Sequence, residues 1–352
     1  MPAPTTPYLR VDLDRMRRNV RNTSERASVA MVALRPHAKT HKSVEIARLQ
    51  LSSGAVGLTV ATLGEAEAFV RHGCDDVFVA YPLWLDDRAA RRLRDLDDRA
   101  TVAFGVDSVE AAANAGRLLG GTDLEVIVEV DSGQHRTGCA PADAGRVGSV
   151  AARAGLRVRG AFTFPGHAYS PGGGGSAADD ERRALAAARD SMEAQGLEVR
   201  VLSGGSTPSL WHTDTDTVTE LRPGVYVFGD AQQWELGTMA REDIALTAVG
   251  TVVSHTGGRA VLDAGSKVLG ADRAAYATGH GRLLEHPEAR VVALSEHHAV
   301  VDLGGTPLPR LGETVQVVPN HVCAAVNLAD ELWVEEHGTL HPWPVTARGR
   351  NG

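Results

Sequence analysis

Between residues 29 and 221 the chain alternates, eight times over, a short apolar run with a longer segment of helical character. The runs fall at 29–34, 55–60, 76–81, 101–106, 124–130, 159–164, 198–202 and 218–221. The runs are mostly apolar, as expected of strands buried on both faces, which is the pattern of a parallel sheet covered by helices. Eight such units in roughly 200 residues match a closed (β/α)8 TIM barrel. A doubly wound open sheet is the competing arrangement, but no Gly-x-Gly-x-x-Gly opens the first unit. Thr62-Leu63-Gly64-Glu65 has the spacing of a capping box at the start of one crossover helix. Beyond Ile244 the pattern becomes short strands parted by glycine turns at Gly257-Gly258, Gly304-Gly305 and Gly338. The expected fold is therefore α/β, a barrel over 13–235 followed by a smaller all-β domain made of 1–12 and 236–352. Pro171-Gly172-Gly173-Gly174-Gly175-Ser176 falls in a βα loop and reads as a solvent loop, with a mobile lid as the alternative.

Composition excludes several function classes. With 43% apolar residues in 352, a large core is available. A net charge of −8 argues against nucleic acid as a partner, since that role needs a basic face. Three widely spaced cysteines, Cys74, Cys139 and Cys323, do not make a disulfide framework and fit a reducing cytoplasmic setting. Neither a signal-peptide core nor an apolar stretch of about 20 residues is found, so no membrane role is expected.

Functional groups of a (β/α)8 barrel gather at the C-terminal ends of its strands. There the first run leads into Arg35-Pro36-His37-Ala38-Lys39-Thr40-His41-Lys42. A lysine crowded by an arginine and two histidines is pushed towards the neutral amine, the form that attacks a carbonyl. A basic, solvated turn is the plainer reading. Lys42 is expected already in the following helix. Polar or glycine-rich clusters also follow later strands, at 131–138, 165–169, 203–208 and 222–226. Ser203-Gly204-Gly205-Ser206-Thr207-Pro208 offers two hydroxyls and several backbone N–H groups, enough to cradle a phosphate or simply to form a capped turn. A carbonyl-binding lysine together with an anion cradle points to pyridoxal phosphate.

These clusters resemble the D-threonine aldolase and D-serine dehydratase family, fold-type III pyridoxal phosphate enzymes that share their barrel with alanine racemase. The likeness rests on the lysine motif at 35–42, on 131–138, on Gly166-His167-Ala168-Tyr169, on 204–208, on 221–226 and on Pro319-Asn320-His321-Val322-Cys323. It implies that Lys39 carries the cofactor and acts as a base at the substrate α-carbon. Arg136 would meet the cofactor's phenolic oxygen. His167 would face its ring with Tyr169 nearby, and both join Lys39 as candidate catalytic groups. Gly205, Ser206, Thr207, Gly224 and Val225 would hold the phosphate together with Tyr226, and Arg222 would meet the pyridine nitrogen.

His321 and Cys323 lie two residues apart, in what reads as a strand end. Such a pair can grip one zinc ion and leave positions open for water or substrate, or can be a buried structural cysteine beside a satisfied histidine. The resemblance implies a divalent metal here, Zn2+ for a thiolate, with Mn2+ or Mg2+ as alternatives. Glu296-His297-His298 and Glu336-His337 read as solvated groups, His297 being the better candidate among them. The implied activity is a lyase of D-β-hydroxy-α-amino acids, first D-serine dehydration to pyruvate and ammonia. Retro-aldol cleavage of D-threonine to glycine and an aldehyde is the alternative. A racemase is less favoured, since Tyr276 is the only tyrosine after Tyr226 and its context gives no support. A non-catalytic cofactor carrier is less favoured too. The expected partners are a small D-amino acid and, by fold analogy, a second copy of the chain.

Overall fold

The computed structural model describes residues 4–352, so the first three residues of the expected segment 1–12 lie outside the described residues. By spatial clustering the chain falls into two compact units. One takes the chain up to Thr23, Thr40–Leu49 and Val225–Gly349; the other takes Ser24–Lys39, Gln50–Gly224 and Arg350–Gly352.

Strand β1 (Tyr8–Asp12) runs straight into α1 (Leu13–Val29), which buries Leu13, Met16 and Val20 at helical spacing. The helix then claims the start of the run read as a buried strand at 29–34. Val29 closes α1 and is 86% exposed, while Met31 is 92% exposed in a turn at φ +55°. Only β2 (Ala33–Leu34) pairs as strand. An apolar run fixes no period by itself, and here the hydrogen bonds of the helix end, such as Val32 N–H to Ala27 O, decide it.

The remaining barrel strands are β3 (Leu58–Val60), β4 (Asp76–Pro82), β5 (Thr101–Val106), β6 (Glu125–Glu129), β7 (Arg157–Phe162), β8 (Val201–Gly204) and β9 (Glu220–Leu221). All pair in parallel in the order β2-β9-β8-β7-β6-β5-β4-β3. A parallel bridge from His37 to Thr59 joins the two end strands, and Val56 N–H donates to Leu34 O beside it. The eight strands thus close on themselves. The intervening helices are α2 (Val44–Ser52), α3 (Leu63–Arg71), α4 (Asp87–Asp97), α5 (Val109–Leu119), α6 (Ala144–Arg153) and α7 (Gly173–Glu193). The Thr62 hydroxyl accepts from Glu65 N–H as the capping spacing predicts, while the Glu65 carboxylate takes the N–H of Ala61. Inside, Phe78 and Phe162 meet edge to face at 5.0 Å, an arrangement worth about 1 kcal/mol beyond its burial.

The glycine-rich patch at 171–176 is not a solvent loop, because α7 begins at Gly173. Two of its glycines, Gly173 and Gly174, serve close approach: a Cβ on Gly174 would lie 2.6 Å from the Pro208 carbonyl oxygen.

In the other unit, β10 (Leu246–Thr256), β11 (Arg259–Leu262), β12 (Gly281–Leu283), β13 (Arg290–Leu294), β14 (Ala299–Asp302) and β15 (Thr314–Pro319) close into a six-stranded antiparallel barrel. Alternate residues, among them Leu246, Ala248, Val252, Val291, Val301 and Val317, fill its core. β1 extends this sheet by pairing antiparallel to β10 and parallel to β16 (Glu331–Glu336), which forms a hairpin with β17 (Thr339–Pro344). Short helices α8 (Ala231–Glu235), α9 (Ser266–Leu269) and α10 (Val322–Leu328) complete the unit. No helix among the described residues is long and apolar enough to cross a membrane.

Candidate active site

In the (β/α)8 unit, three of the candidate residues converge on one ring. Phe164, just past β7, has the Lys39 Nζ 5.6 Å from its centroid, the Arg136 guanidinium at 5.4 Å and the Tyr169 ring at 6.2 Å. Lys39 stands in a single 3-10 turn, Ala38–Thr40, and its N–H reaches His37 Nδ1 at 3.4 Å. His37 in turn donates its N–H to Pro223 O, which ties the lysine turn to the end of β9. The loop carrying Arg136 is shaped by Asp131, whose Oδ1 accepts from Gly133 and His135 N–H and whose Oδ2 lies 2.6 Å from His135 Nδ1. The Thr137 hydroxyl donates to Glu129 at 3.0 Å.

The cation cluster expected around Lys39 loses Arg35, while His37 stays beside the lysine turn. Arg35 turns away to Glu220 and Asp76, and the His41 ring accepts from Ser43 N–H. Lys42 is not helical; it sits at φ +49° ahead of α2 with its ammonium donating to Asn327 at 2.7 Å.

His167 lies in the turn Gly166–Ala168, its Nε2 3.1 Å from Asp180 Oδ2, and its buried Nδ1 has no hydrogen-bond partner. Gly133, at φ +126°, lets the ring come close, since a Cβ there would meet it at 3.2 Å. Arg222 is buried and spans the barrel interior. It donates to the Ser203 hydroxyl and to Thr163 O, and its guanidinium lies 5.2 Å from the Phe162 ring and 5.6 Å from Phe78. Burial lowers its pKa against the pull of Glu220, Glu181 and Glu129.

The turn after β8 is built as a cradle. Gly205 adopts φ +82°, and Ser206 and Thr207 are buried, the former bonded to Ser209. From behind, Glu181 of α7 accepts the Gly205 N–H at 2.5 Å. Gly224 closes this unit, whereas Val225 and Tyr226 open the other one, buried in a 3-10 turn, Val225–Val227. An amine, a guanidinium and an aromatic edge around Phe164, together with a glycine turn rich in hydroxyls, fit pyridoxal phosphate.

In the β-barrel unit His321 and Cys323 are not at a strand end. His321 is the N-cap residue of α10 and Cys323 its second residue, after β15 has ended at Pro319. Their side chains hydrogen-bond, and the Cys323 sulfur also lies 3.3 Å from the Thr40 hydroxyl. The neighbouring thiolate raises His321 to about 9 against its burial. Among the described residues no group of three His, Cys, Asp or Glu donors forms. Asp230, close by, spends its oxygens on the N–H groups of Gln233 and Val322. The nitrogen–sulfur pair suits a zinc-like ion by donor chemistry, as a two-donor grip with the other positions left to water or substrate. His297 and His298 stay exposed beside Glu296, which pairs with Lys267.

Sequence reasoning missed Phe164 as a hub and missed three buried or half-buried acids, Glu129, Asp180 and Glu181. Glu129 was visible as an acid ending an apolar strand; Glu181 had no signal, being one acid in the run Asp179-Asp180-Glu181 of a polar helix.

Comparison with known proteins agrees with this geometry. Residues 11–232 match the family profile "Alanine racemase, N-terminal domain", and residues 245–335 match "Putative serine dehydratase domain". The chain is 34% identical over 378 aligned positions to D-threo-3-hydroxyaspartate dehydratase of Delftia sp. (strain HT23), covering 96% of this chain and 98% of that one. It is 30% identical to D-threonine aldolase of Arthrobacter sp., over 98% of this chain and 93% of that one. A solved structure of the dehydratase with a cysteine replaced by alanine, in the metal-free form, superposes with TM-score 0.89 at 31% identity over 97% of both chains. The chain therefore belongs to the fold-type III pyridoxal phosphate family of D-threo-3-hydroxyaspartate dehydratase and D-threonine aldolase.

Proposed function

We propose that this chain is a pyridoxal phosphate- and divalent metal-dependent lyase that dehydrates a D-β-hydroxy-α-amino acid, D-serine first, to a 2-oxo acid and ammonia. The observation that carries the reading is the convergence of Lys39, Arg136 and Tyr169 on Phe164. When bound, pyridoxal phosphate supplies an electron sink for charge at the α-carbon, and a divalent ion supplies a Lewis acid for the β-hydroxyl. Lys39 Nζ takes the α-proton while the β-hydroxyl leaves, so that proton and hydroxide together make up the water lost. Arg136 offers a cation 5.4 Å from the Phe164 centroid and would meet the cofactor's phenolic oxygen. His167, held by Asp180, presents its ring, and Tyr169 lines the site beside Phe164. Ser206, Thr207 and the Gly205 turn would hold the phosphate, with Gly224, Val225 and Tyr226, and Arg222 would meet the pyridine nitrogen. His321 and Cys323 would hold the metal, for which zinc suits the sulfur donor better than Mn2+ or Mg2+. The likeness to a dehydratase solved as a cysteine-to-alanine variant in the metal-free form supports a metal and a cysteine near it.

Purified protein offered D-serine, D-threo-3-hydroxyaspartate and D-threonine, with and without chelator, tests the reading. We expect 2-oxo acid and ammonia from the first two, lost on chelation. Glycine plus aldehyde as the main products would replace it by the second reading, retro-aldol cleavage, which the likeness to D-threonine aldolase supports. Activity untouched by chelation would remove the metal. The cytoplasmic setting and a homodimer complete the proposal, the latter checked by light scattering of the purified chain.

A further inference from the structure

Glu181 is wholly buried in α7, yet it has no ion-pair partner among the described residues. Its Oε1 takes the Gly205 N–H at 2.5 Å and its Oε2 has no hydrogen bond. A Cβ on Gly204 would collide with this carboxyl group, so the glycine at the start of the cradle leaves the space that admits it. An acid placed directly behind an anion site is electrostatically wrong unless it carries its proton. Resting on the pyridoxal phosphate reading above, we infer that Glu181 is a positioning residue for the cofactor phosphate. As a neutral acid it fixes the Gly204–Thr207 turn through Gly205, and as a carboxylate it repels the phosphate and weakens binding.

The surroundings permit this switch. Burial pushes Glu181 up to about 7, and the Gly205 N–H, Arg222 and the Thr213 hydroxyl pull it back only in part. Arg222 is the charged group that acts on it from the strand side. On the helix side the preceding Asp180 is turned to His167 and Arg183, and Arg146 and Asp143 of the adjacent segment pair with each other. A bound phosphate dianion raises the Glu181 pKa further. Cofactor affinity is therefore full while Glu181 is protonated in the cofactor-free chain and falls as pH rises through that group's pKa.

The test titrates the full-length chain, stripped of cofactor, with pyridoxal phosphate and with pyridoxal, which lacks the phosphate, following visible absorbance. Between about pH 6 and 8.5 we expect the phosphate ester to lose at least about tenfold more affinity than pyridoxal. Glu181→Gln keeps the acceptor for Gly205 without the charge, and should flatten that difference while holding the low-pH affinity within about threefold. Proton uptake at about pH 7.5 reads the same linkage in the unmodified chain, which should bind a larger fraction of a proton with pyridoxal phosphate than with pyridoxal. Equal pH dependence for the two ligands, or no extra proton uptake, overturns the inference while leaving the cofactor assignment intact. Failure of either ligand to bind at any pH overturns the cofactor assignment itself and this inference with it.

Discussion

The two mouths of the (β/α)8 barrel treat buried charge in opposite ways. At the mouth where the strands begin, Arg35, 1% exposed, is gripped by Glu220 at 2.7 Å and by both oxygens of Asp76 at 2.6 and 3.0 Å. Beside it Glu125 takes Arg159 at 3.1 Å and Arg200 at 2.8 Å. Each cation there has an acid against it. At the mouth where the strands end, Arg222 donates only to a hydroxyl and a carbonyl. Glu129 and Glu181 each keep an oxygen, and His167 a ring nitrogen, without a hydrogen bond. The two arginines accordingly shift in opposite directions: burial works against both, but Glu220 and Asp76 outweigh it for Arg35 and nothing does for Arg222. Buried polar groups left unsatisfied cost stability, so a mouth that accumulates them is arranged for a ligand rather than for the fold.

Lys39→Ala probes the ligand mouth most severely. We expect loss of the cofactor's visible absorbance and a fall in turnover of at least about 10^3-fold, with the thermal midpoint little changed. A variant that kept the absorbance would remove the lysine assignment and, with it, the meaning given to this mouth.

Next in size is the arginine pair. Arg35→Met strands Asp76 and leaves Glu220 only the longer contact to Arg159 at 3.8 Å, and should cost about 3–5 kcal/mol in unfolding free energy. Arg222→Met removes a desolvated charge bonded to neutral groups, so we expect about 1–2 kcal/mol there, together with weaker cofactor binding. Equal stability losses, measured by denaturant unfolding, would dissolve the contrast between the mouths.

Glu129 extends it to pH. Burial pushes this carboxyl up to about 7, against the Thr137 hydroxyl and the charges of Arg136 and Arg222. A carboxyl raised in the folded state binds more protons than in the unfolded chain. Its contribution is therefore complete below the ordinary glutamate range and is lost as pH rises to about 7. The loss is on the order of 2–3 kcal/mol, and Glu129→Gln should remove about that slope from a stability profile taken over the same range. An unchanged profile would mean that Glu129 is ionised in the fold.

The contrast also marks how far the sequence could be read. Eight apolar runs and their spacing sufficed for the barrel, because burial on both faces leaves a strand little choice of residue. The position of Lys39, Arg136, His167 and Arg222 past the strand ends was legible because each follows such a run. What stayed hidden was direction. Arg35 and Lys39 are four residues apart in one basic motif, yet one serves the strand-start mouth and the other the opposite one, and only acids more than forty residues away, Asp76 and Glu220, decide that. Phe164 and Glu181 were hidden for the same reason, since their importance lies in what the barrel brings to them.

The mildest test concerns a pair that spans both roles. Asp180 is half-buried and holds His167 Nε2 at 3.1 Å, so as an ion pair it falls among those worth less than about 1 kcal/mol. Its importance should lie in aiming the ring, because the other ring nitrogen is buried with no bond to hold it. Asp180→Asn keeps size and can still accept from Nε2, and should shift the unfolding free energy by under about 1 kcal/mol. Turnover should fall by only about three- to tenfold, with the KM for D-serine little changed, as loss of orientation rather than of binding requires. A stability loss matching that of Arg35→Met would place this pair with the structural mouth. No change in turnover would free His167 from any dependence on Asp180 and leave its ring aimed by the packing against Gly133 alone.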